Sequence, residues 1–319
     1  MGAPDPGAPD PGAPDPAAVQ WIAVDWGTSN LRLWAVDGAG AVLARRQAER
    51  GMGALTPEAF EPALVDLAGD LLAPGRVTPV LICGMAGARQ GWAEAPYRAV
   101  PCAPSAAGAI AAPVRDPRLA VHILPGLCQA DPPDVMRGEE TQIAGFLAER
   151  PGFTGTLCLP GTHGKWVRVA SGEIRGFRTA MTGEIFALLA RHSVLRHSLD
   201  DGWDETAFDE GVACGHSQPD QVLADLFTLR AAGLLGAQAA APGAGRARLS
   251  GLLIGAELAA MRRFWADGPL VLIGARALCQ RYATALGWLG ARAEIAAAEG
   301  LTLAGLAAAR AQLQEEQGA

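Results

Sequence analysis

Lysine is almost missing from this chain. Of its 26 basic residues one, Lys165, is a lysine, and the other 25 are arginine. A base-composition bias in the coding sequence explains the preference for arginine, but not where the one lysine sits. Arginine is a planar fork, whereas lysine is a compact point charge suited to single anionic oxygens, so Lys165 is a candidate ligand contact. Long hydrophobic runs are missing too. No stretch reaches the roughly 20 apolar residues needed to span a bilayer. The N-terminus has neither the basic segment nor the apolar segment of a secretory signal. The expectation is a cytoplasmic protein with no membrane partner. The six cysteines, at 83, 102, 128, 158, 214 and 279, form no C-x-x-C pair and no Cys/His cluster at metal spacing, and read as reduced thiols. An excess of positive charge is also absent. With 26 basic against 33 acidic residues the net charge is −7, which argues against a nucleic-acid partner. A few local arginines can still bind a small anion.

What is present is a globular composition, 50% hydrophobic over 319 residues, enough for two domains. Residues 2–16 are three copies of Gly-Ala-Pro-Asp-Pro. Proline at that density blocks both helix and sheet ladders, so residues 1–18 are expected to form a disordered tail. The pattern then predicts three short strands, 19–25, 31–36 and 41–47. A helix over 56–72 follows, with Thr56 as its cap and Pro57 in its first turn. A buried strand, 79–83, enters a glycine-rich loop, Gly84-Met-Ala-Gly-Ala-Arg-Gln-Gly91. A further strand is expected at 122–124.

A second unit opens near Arg137, with a helix over 138–149 whose first turn is acidic, as the helix dipole favours. The opening pattern then repeats as strand 156–159, polar turn Pro160-Gly-Thr-His-Gly164, strand 165–170 and strand 173–177. Later come a strand at 269–273 entering Gly274-Ala275, a helix to about 286, a strand at 291–295 and a last helix from about 301. Two halves that open alike suggest an internal duplication.

The turns carry the chemistry. Small polar turns can aim several backbone N–H groups at one anion. Asp25, at the end of the first strand, cannot face phosphate directly, but it can hold a hydrated magnesium ion beside one. Asp25 with Gly27, Thr28, Ser29 and Asn30 therefore reads as half of a metal-assisted phosphate clamp. Gly161, Thr162 and His163, with Lys165, read as the other half. One such turn alone is better explained as an ordinary hairpin; two at matching points favour a shared ligand.

These residues carry a resemblance. VDWGTSNLRLW resembles the first phosphate motif of the sugar kinase/Hsp70/actin superfamily, LPGTHGKW its second, and VLIGARAL its adenosine motif, with Gly274-Ala275 where a double glycine is commoner. The resemblance implies an α/β fold of two duplicated ribonuclease-H-like, actin-like ATPase domains with an interdomain cleft. The domains would span 19–135 and 136–319, and ATP and Mg2+ would be the cofactors. DWGTSNLRLW, RGMGAL, CGMAGARQGW, VMRGEETQIAGFL, LCLPGTHGKWV, MTGEIFALL, HSVLRHS and GLLIGAEL together resemble the 2-dehydro-3-deoxygalactonokinase family. That family's reaction is ATP-dependent phosphorylation of the 6-hydroxyl of 2-dehydro-3-deoxy-D-galactonate, in galactonate catabolism.

Phosphoryl transfer needs positioning, charge neutralisation and usually a carboxylate to take the hydroxyl proton. Glu139 is the first candidate, by the position of the acid that begins the corresponding helix in glycerol-type kinases, and Glu140 the second. Either could instead only cap the helix. Lys165 and Gly274 would contact the nucleotide, with His163 as a hydrogen-bond donor. The anionic substrate calls for a cation, and Arg89 could take its carboxylate bidentately. Gln90 would bond a hydroxyl, and Arg50, Gly51 and Met52 would form another wall. Other readings keep the fold and change the substrate, for example to 2-dehydro-3-deoxygluconate, or make the chain a non-catalytic ATP-dependent switch. Against the switch, no peptide-binding domain or helix-turn-helix is evident in the sequence. A homodimer is allowed.

Overall fold

The computed structural model describes residues 14–235 and 242–318. The chain forms two compact units, one of residues 1–151 with 299–319 and one of residues 152–298. The sequence reading broke the chain before Arg137 and gave the last helix to the second half. In the structure the break falls after Pro151 and the last helix returns to the first unit, because its apolar face is used there.

In the first unit the strands are β1 (Trp21–Trp26), β2 (Leu31–Val36), β3 (Val42–Ala48), β4 (Thr78–Gly84), β5 (Tyr97–Ala99), β6 (Ile110–Ala111), β7 (Leu119–Ile123), β8 (Gly126–Ala130) and β9 (Pro133–Met136). Its main sheet runs β3-β2-β1-β4-β7-β6. β1, β2 and β3 pair antiparallel, while β4 and β7 add parallel. Every residue of β1 is buried because alternate side chains serve two covered faces. Ile22, Val24 and Trp26 join Phe60 and Leu64 of α1 (Phe60–Ala68). Trp26, Phe60 and Trp92 meet there, with ring centroids 4.8 to 6.1 Å apart. Trp21 and Ala23 face the other way, with Leu306 and Ala309 of the last helix. The three-stranded sheet β5-β8-β9 was not foreseen.

Two local expectations are corrected. The helix expected over 56–72 is α-helical only over α1, with 3-10 turns on either side, and Thr56 makes no side-chain cap. Of the tail expected over 1–18, residues 1–13 lie outside the described residues, but 14–18 are held in place. The Arg76 guanidinium donates to the carbonyls of Pro16 (3.0 Å), Ala17 (2.9 Å) and Val19.

After α2 (Glu139–Glu149), the second unit repeats the plan with β10 (Gly155–Leu159), β11 (Gly164–Ala170), β12 (Glu173–Ala180), β13 (Leu270–Gly274) and β14 (Glu294–Ala297). Their order, β12-β11-β10-β13-β14, matches β3-β2-β1-β4-β7 in the first unit, with the same two antiparallel and two parallel pairings. The duplication is therefore visible as topology. Helices α3 (Thr182–His192), α4 (Glu205–Ser217), α5 (Val222–Leu234), α6 (Ala244–Ala260), α7 (Arg262–Trp265) and α8 (Arg276–Trp288) complete the unit, and α9 (Ala298–Gly318) closes the chain.

Helices α4 and α6 cross backbone to backbone. A Cβ on Gly251 would lie 2.2 Å from the Phe208 carbonyl oxygen, and one on Gly255 2.4 Å from that of Val212. On the facing helix, a Cβ on Gly215 would lie 2.2 Å from the Leu252 carbonyl oxygen. Overpacking such a contact forces helix displacement, so Gly255→Ala is expected to cost on the order of 3 kcal/mol. Urea unfolding of the variant beside the parent checks this.

Candidate functional site

In the first unit the site grows from the register of β1. Asp25 lies opposite Arg32 on β2 and opposite Cys83 on β4. Its carboxylate is buried and pairs with Arg32 Nη2 at 2.8 Å, with Cys83 Sγ 4.0 Å away. Burial pushes the Asp25 carboxyl above its usual range; Arg32 pulls it back, and the charge of Glu139 adds to the rise. Burial, followed by the nearby Asp25 charge, holds the Cys83 thiol protonated.

The turn 27–30 is fixed by the segment after β3. The amides of Gly51, Met52 and Gly53 donate to the carbonyls of Ser29 (3.1 Å), Gly27 (3.0 Å) and Thr28 (2.9 Å). Trp26 Nε1 donates to the Arg50 carbonyl at 2.9 Å. A Cβ on Gly51 would fall 2.3 Å from backbone atoms of Thr28 and Ser29, so this residue must be glycine. The expected wall of Arg50, Gly51 and Met52 thus supports the turn through its backbone. The Arg50 side chain points elsewhere, to Asp66 at 2.6 Å.

The two glutamates at the start of α2 have different surroundings. Glu140 is buried, and both its oxygens accept from the Gly138 amide, at 2.8 and 2.7 Å. Burial, then the adjacent Glu139 charge, pushes its carboxyl up to about 7. Glu139 Oε2 accepts from the Arg137 amide at 3.1 Å, and its charge reaches both Asp25 and Glu140. Gly138, at φ +111°, brings this helix start against Gly84: a Cβ on Gly138 would lie 3.4 Å from the Gly84 α-carbon. Asp25, Glu139 and Glu140 are therefore brought together within the first unit. Arg89 and Gln90 are exposed, and Arg89 Nε lies 4.0 Å from Glu94. A residue the sequence reading passed over, Arg137, is buried instead. It donates to the Ala95 carbonyl at 2.7 Å and lies 4.3 Å from the Tyr97 ring centroid. Its place in VMRGEE was the available signal.

In the second unit Lys165 is buried and donates to the His163 carbonyl at 3.1 Å. His163 Nε2 pairs with Glu184 at 2.5 Å, and the Glu184 amide donates to the Thr162 carbonyl at 3.0 Å. A Cβ on Gly183 would lie 2.2 Å from the Gly161 carbonyl oxygen, so α3 begins against the turn. This gives Met181-Thr-Gly-Glu184 the role its sequence did not reveal. Gly274 closes the other side, where a Cβ would be 3.3 Å from the Pro160 carbonyl oxygen. A cavity of about 70 Å³ adjoins the turn, lined by Gly161, Thr182, Gly183, Leu253, Leu278 and Tyr282 among others.

No group of three or more His, Cys, Asp or Glu side chains suited to enclosing a metal occurs among the described residues. Asp25 alone fits a cation that keeps most of its water and needs one or two carboxylates, as magnesium does.

Glu140 also sets a pH dependence. Its folded value of about 7 exceeds the usual 4.5, so the folded state binds the proton more tightly. Ionised Glu140 costs stability above pH 7, and that cost is relieved as pH falls from 7 towards 4.5. The parent should gain stability relative to Glu140→Gln across that window, at up to about 1.4 kcal/mol per pH unit. Urea midpoints of both proteins at pH 8, 7, 6 and 5 measure the difference.

Comparison with known proteins gives the family. Residues 25–309 match the model of the 2-keto-3-deoxy-galactonokinase family. The chain is 41% identical over 290 residues to "Probable 2-dehydro-3-deoxygalactonokinase DgoK1" of Rhizobium meliloti (strain 1021), covering 89% of this chain and 94% of that one. It is 37% identical over 268 residues to the 2-dehydro-3-deoxygalactonokinase of Escherichia coli (strain K12), covering 83% and 88%. A crystal structure of "a putative 2-dehydro-3-deoxygalactonokinase protein from Sinorhizobium meliloti" superposes with a TM-score of 0.84 at 40% identity, covering 92% of this chain and 96% of that one. With the sheet order repeated in both units and the family pattern running from Asp25 to the middle of α9, this chain belongs to the 2-dehydro-3-deoxygalactonokinase family of kinases.

Proposed function

We propose that this protein transfers the γ-phosphoryl group of ATP to the 6-hydroxyl of 2-dehydro-3-deoxy-D-galactonate. The observation that carries the reading is the family match over residues 25–309, which includes both polar turns and the acidic start of α2. The first unit supplies the acceptor side of the reaction. Glu139 takes the hydroxyl proton, because it stands in the first turn of α2 with its charge within electrostatic reach of Asp25. Glu140 orders the helix start by holding the Gly138 amide. The carbonyls of 27–29 are consumed by the 51–53 amides, so Thr28, Ser29 and Asn30 have backbone N–H groups and side chains left to offer an anion. Magnesium, when bound through Asp25 by way of water, would neutralise phosphate charge.

The second unit supplies the nucleotide side. Gly161, Thr162 and His163 receive phosphate oxygens, and Lys165, already aligned along the turn, adds a point charge. Gly274 and the neighbouring cavity accept the nucleoside portion. Arg89 and Gln90, exposed at the loop after β4, would meet the sugar acid when it arrives, Arg89 by exchanging its solvent-exposed pairing with Glu94. The chain works in the cytoplasm on a small-molecule substrate.

ADP release with magnesium-ATP and each of the two epimeric 2-dehydro-3-deoxy acids, galactonate and gluconate, tests the reading. Strong preference for the galactonate form is expected, and turnover with neither acid would sink it. Loss of a general base costs about 10²- to 10⁴-fold in rate, so Glu139→Gln should lower kcat by that amount while Glu140→Gln lowers it less. Lys165→Arg should impair turnover as well; full activity in that variant would remove the argument from the single lysine.

A further inference from the structure

Helix α6 needs its glycines to cross α4, but that crossing does not require the carboxylate that follows them. Glu257 is buried, and its hydrogen-bond partners are neutral. Trp166 Nε1 donates to Oε1 at 2.7 Å, the Tyr282 hydroxyl donates to Oε2 at 2.7 Å, and the Thr182 hydroxyl is a third partner. Burying a charge without a cation is costly, and a neutral residue would pack more cheaply. A carboxylate is nonetheless the side chain that accepts from three directions at once. Glutamine offers one oxygen and would turn its NH2 towards a donor.

The three donors come from three different elements, and all three border the 161–165 turn. Trp166 follows Lys165 in β11. Thr182 precedes Gly183, whose α-carbon abuts the Gly161 carbonyl. Tyr282 of α8 lines the same cavity as Gly161, Thr182 and Gly183. Oε1 itself lies beside the turn, 3.6 Å from where a Cβ on Gly164 would be. We propose that Glu257 is a positioning residue for the nucleotide: it draws β11, α3 and α8 together around the turn and so sets the affinity for ATP without touching it. The inference rests on the reading of 161–165 as the phosphate site.

The test compares the full-length parent, Glu257→Gln, Tyr282→Phe and the double variant by ADP calorimetry, steady-state kinetics and thermal unfolding. Glu257→Gln should weaken ADP binding and raise the KM for magnesium-ATP by about tenfold, with the KM for the sugar acid changed less than about twofold. Tyr282→Phe should give a smaller effect in the same direction. The double variant should bind ADP no more weakly than Glu257→Gln alone, because both changes break one linkage. If Glu257→Gln does not fold, Tyr282→Phe carries the test, since it removes a single hydroxyl. A folded variant with a lowered Tm and unchanged ADP affinity would overturn the proposal and leave Glu257 a structural residue. Failure of the parent itself to bind ADP would overturn the phosphate reading and the inference with it; that result is read before any variant is compared.

Discussion

Backbone held against backbone is the constraint on which both polar turns depend. The 27–30 turn keeps its shape because three consecutive amides of 51–53 donate into its carbonyls, and Gly51 has no side chain to prevent that approach. The 161–164 turn is held in the same manner, by Gly183 at the start of α3 and Gly274 at the end of β13. A turn fixed this way presents its amides in a set geometry before any ligand arrives, which lowers the ordering cost of binding. Helices α4 and α6 extend the principle, since their glycine contacts fix the depth at which Glu257 sits.

Carboxylates form the second theme. Asp25, Glu140 and Glu257 are all buried, and burial is the leading influence raising each of their carboxyl groups. Each is compensated differently. Asp25 has a guanidinium, Glu140 has a backbone amide and Glu257 has three neutral donors. Local destabilisation of this kind collects where a chain does chemistry, and packing elsewhere must offset it.

Much of the fold was legible in the sequence because its signals are local. Alternating apolar residues and small polar turns marked the first three strands of each unit, and their repetition revealed the duplication. Short strands such as Tyr97–Ala99 and Ile110–Ala111 left no signal, because two or three residues cannot show a period. The last helix was assigned to the wrong unit because an amphipathic pattern says that a face will be buried, but not against what.

The sequence by itself determined the two small polar turns, the acids at the start of α2 and the position of the single lysine, since each is a choice of residue type at one point on the chain. Only the tertiary structure decided which residues those features meet. Arg50 turns its side chain to Asp66 and gives the turn its backbone, Glu184 finds His163 across 21 positions, and Glu257 gathers Trp166, Thr182 and Tyr282. Such contacts depend on crossing depth and strand register, which arise when elements pack and are not encoded in any one stretch.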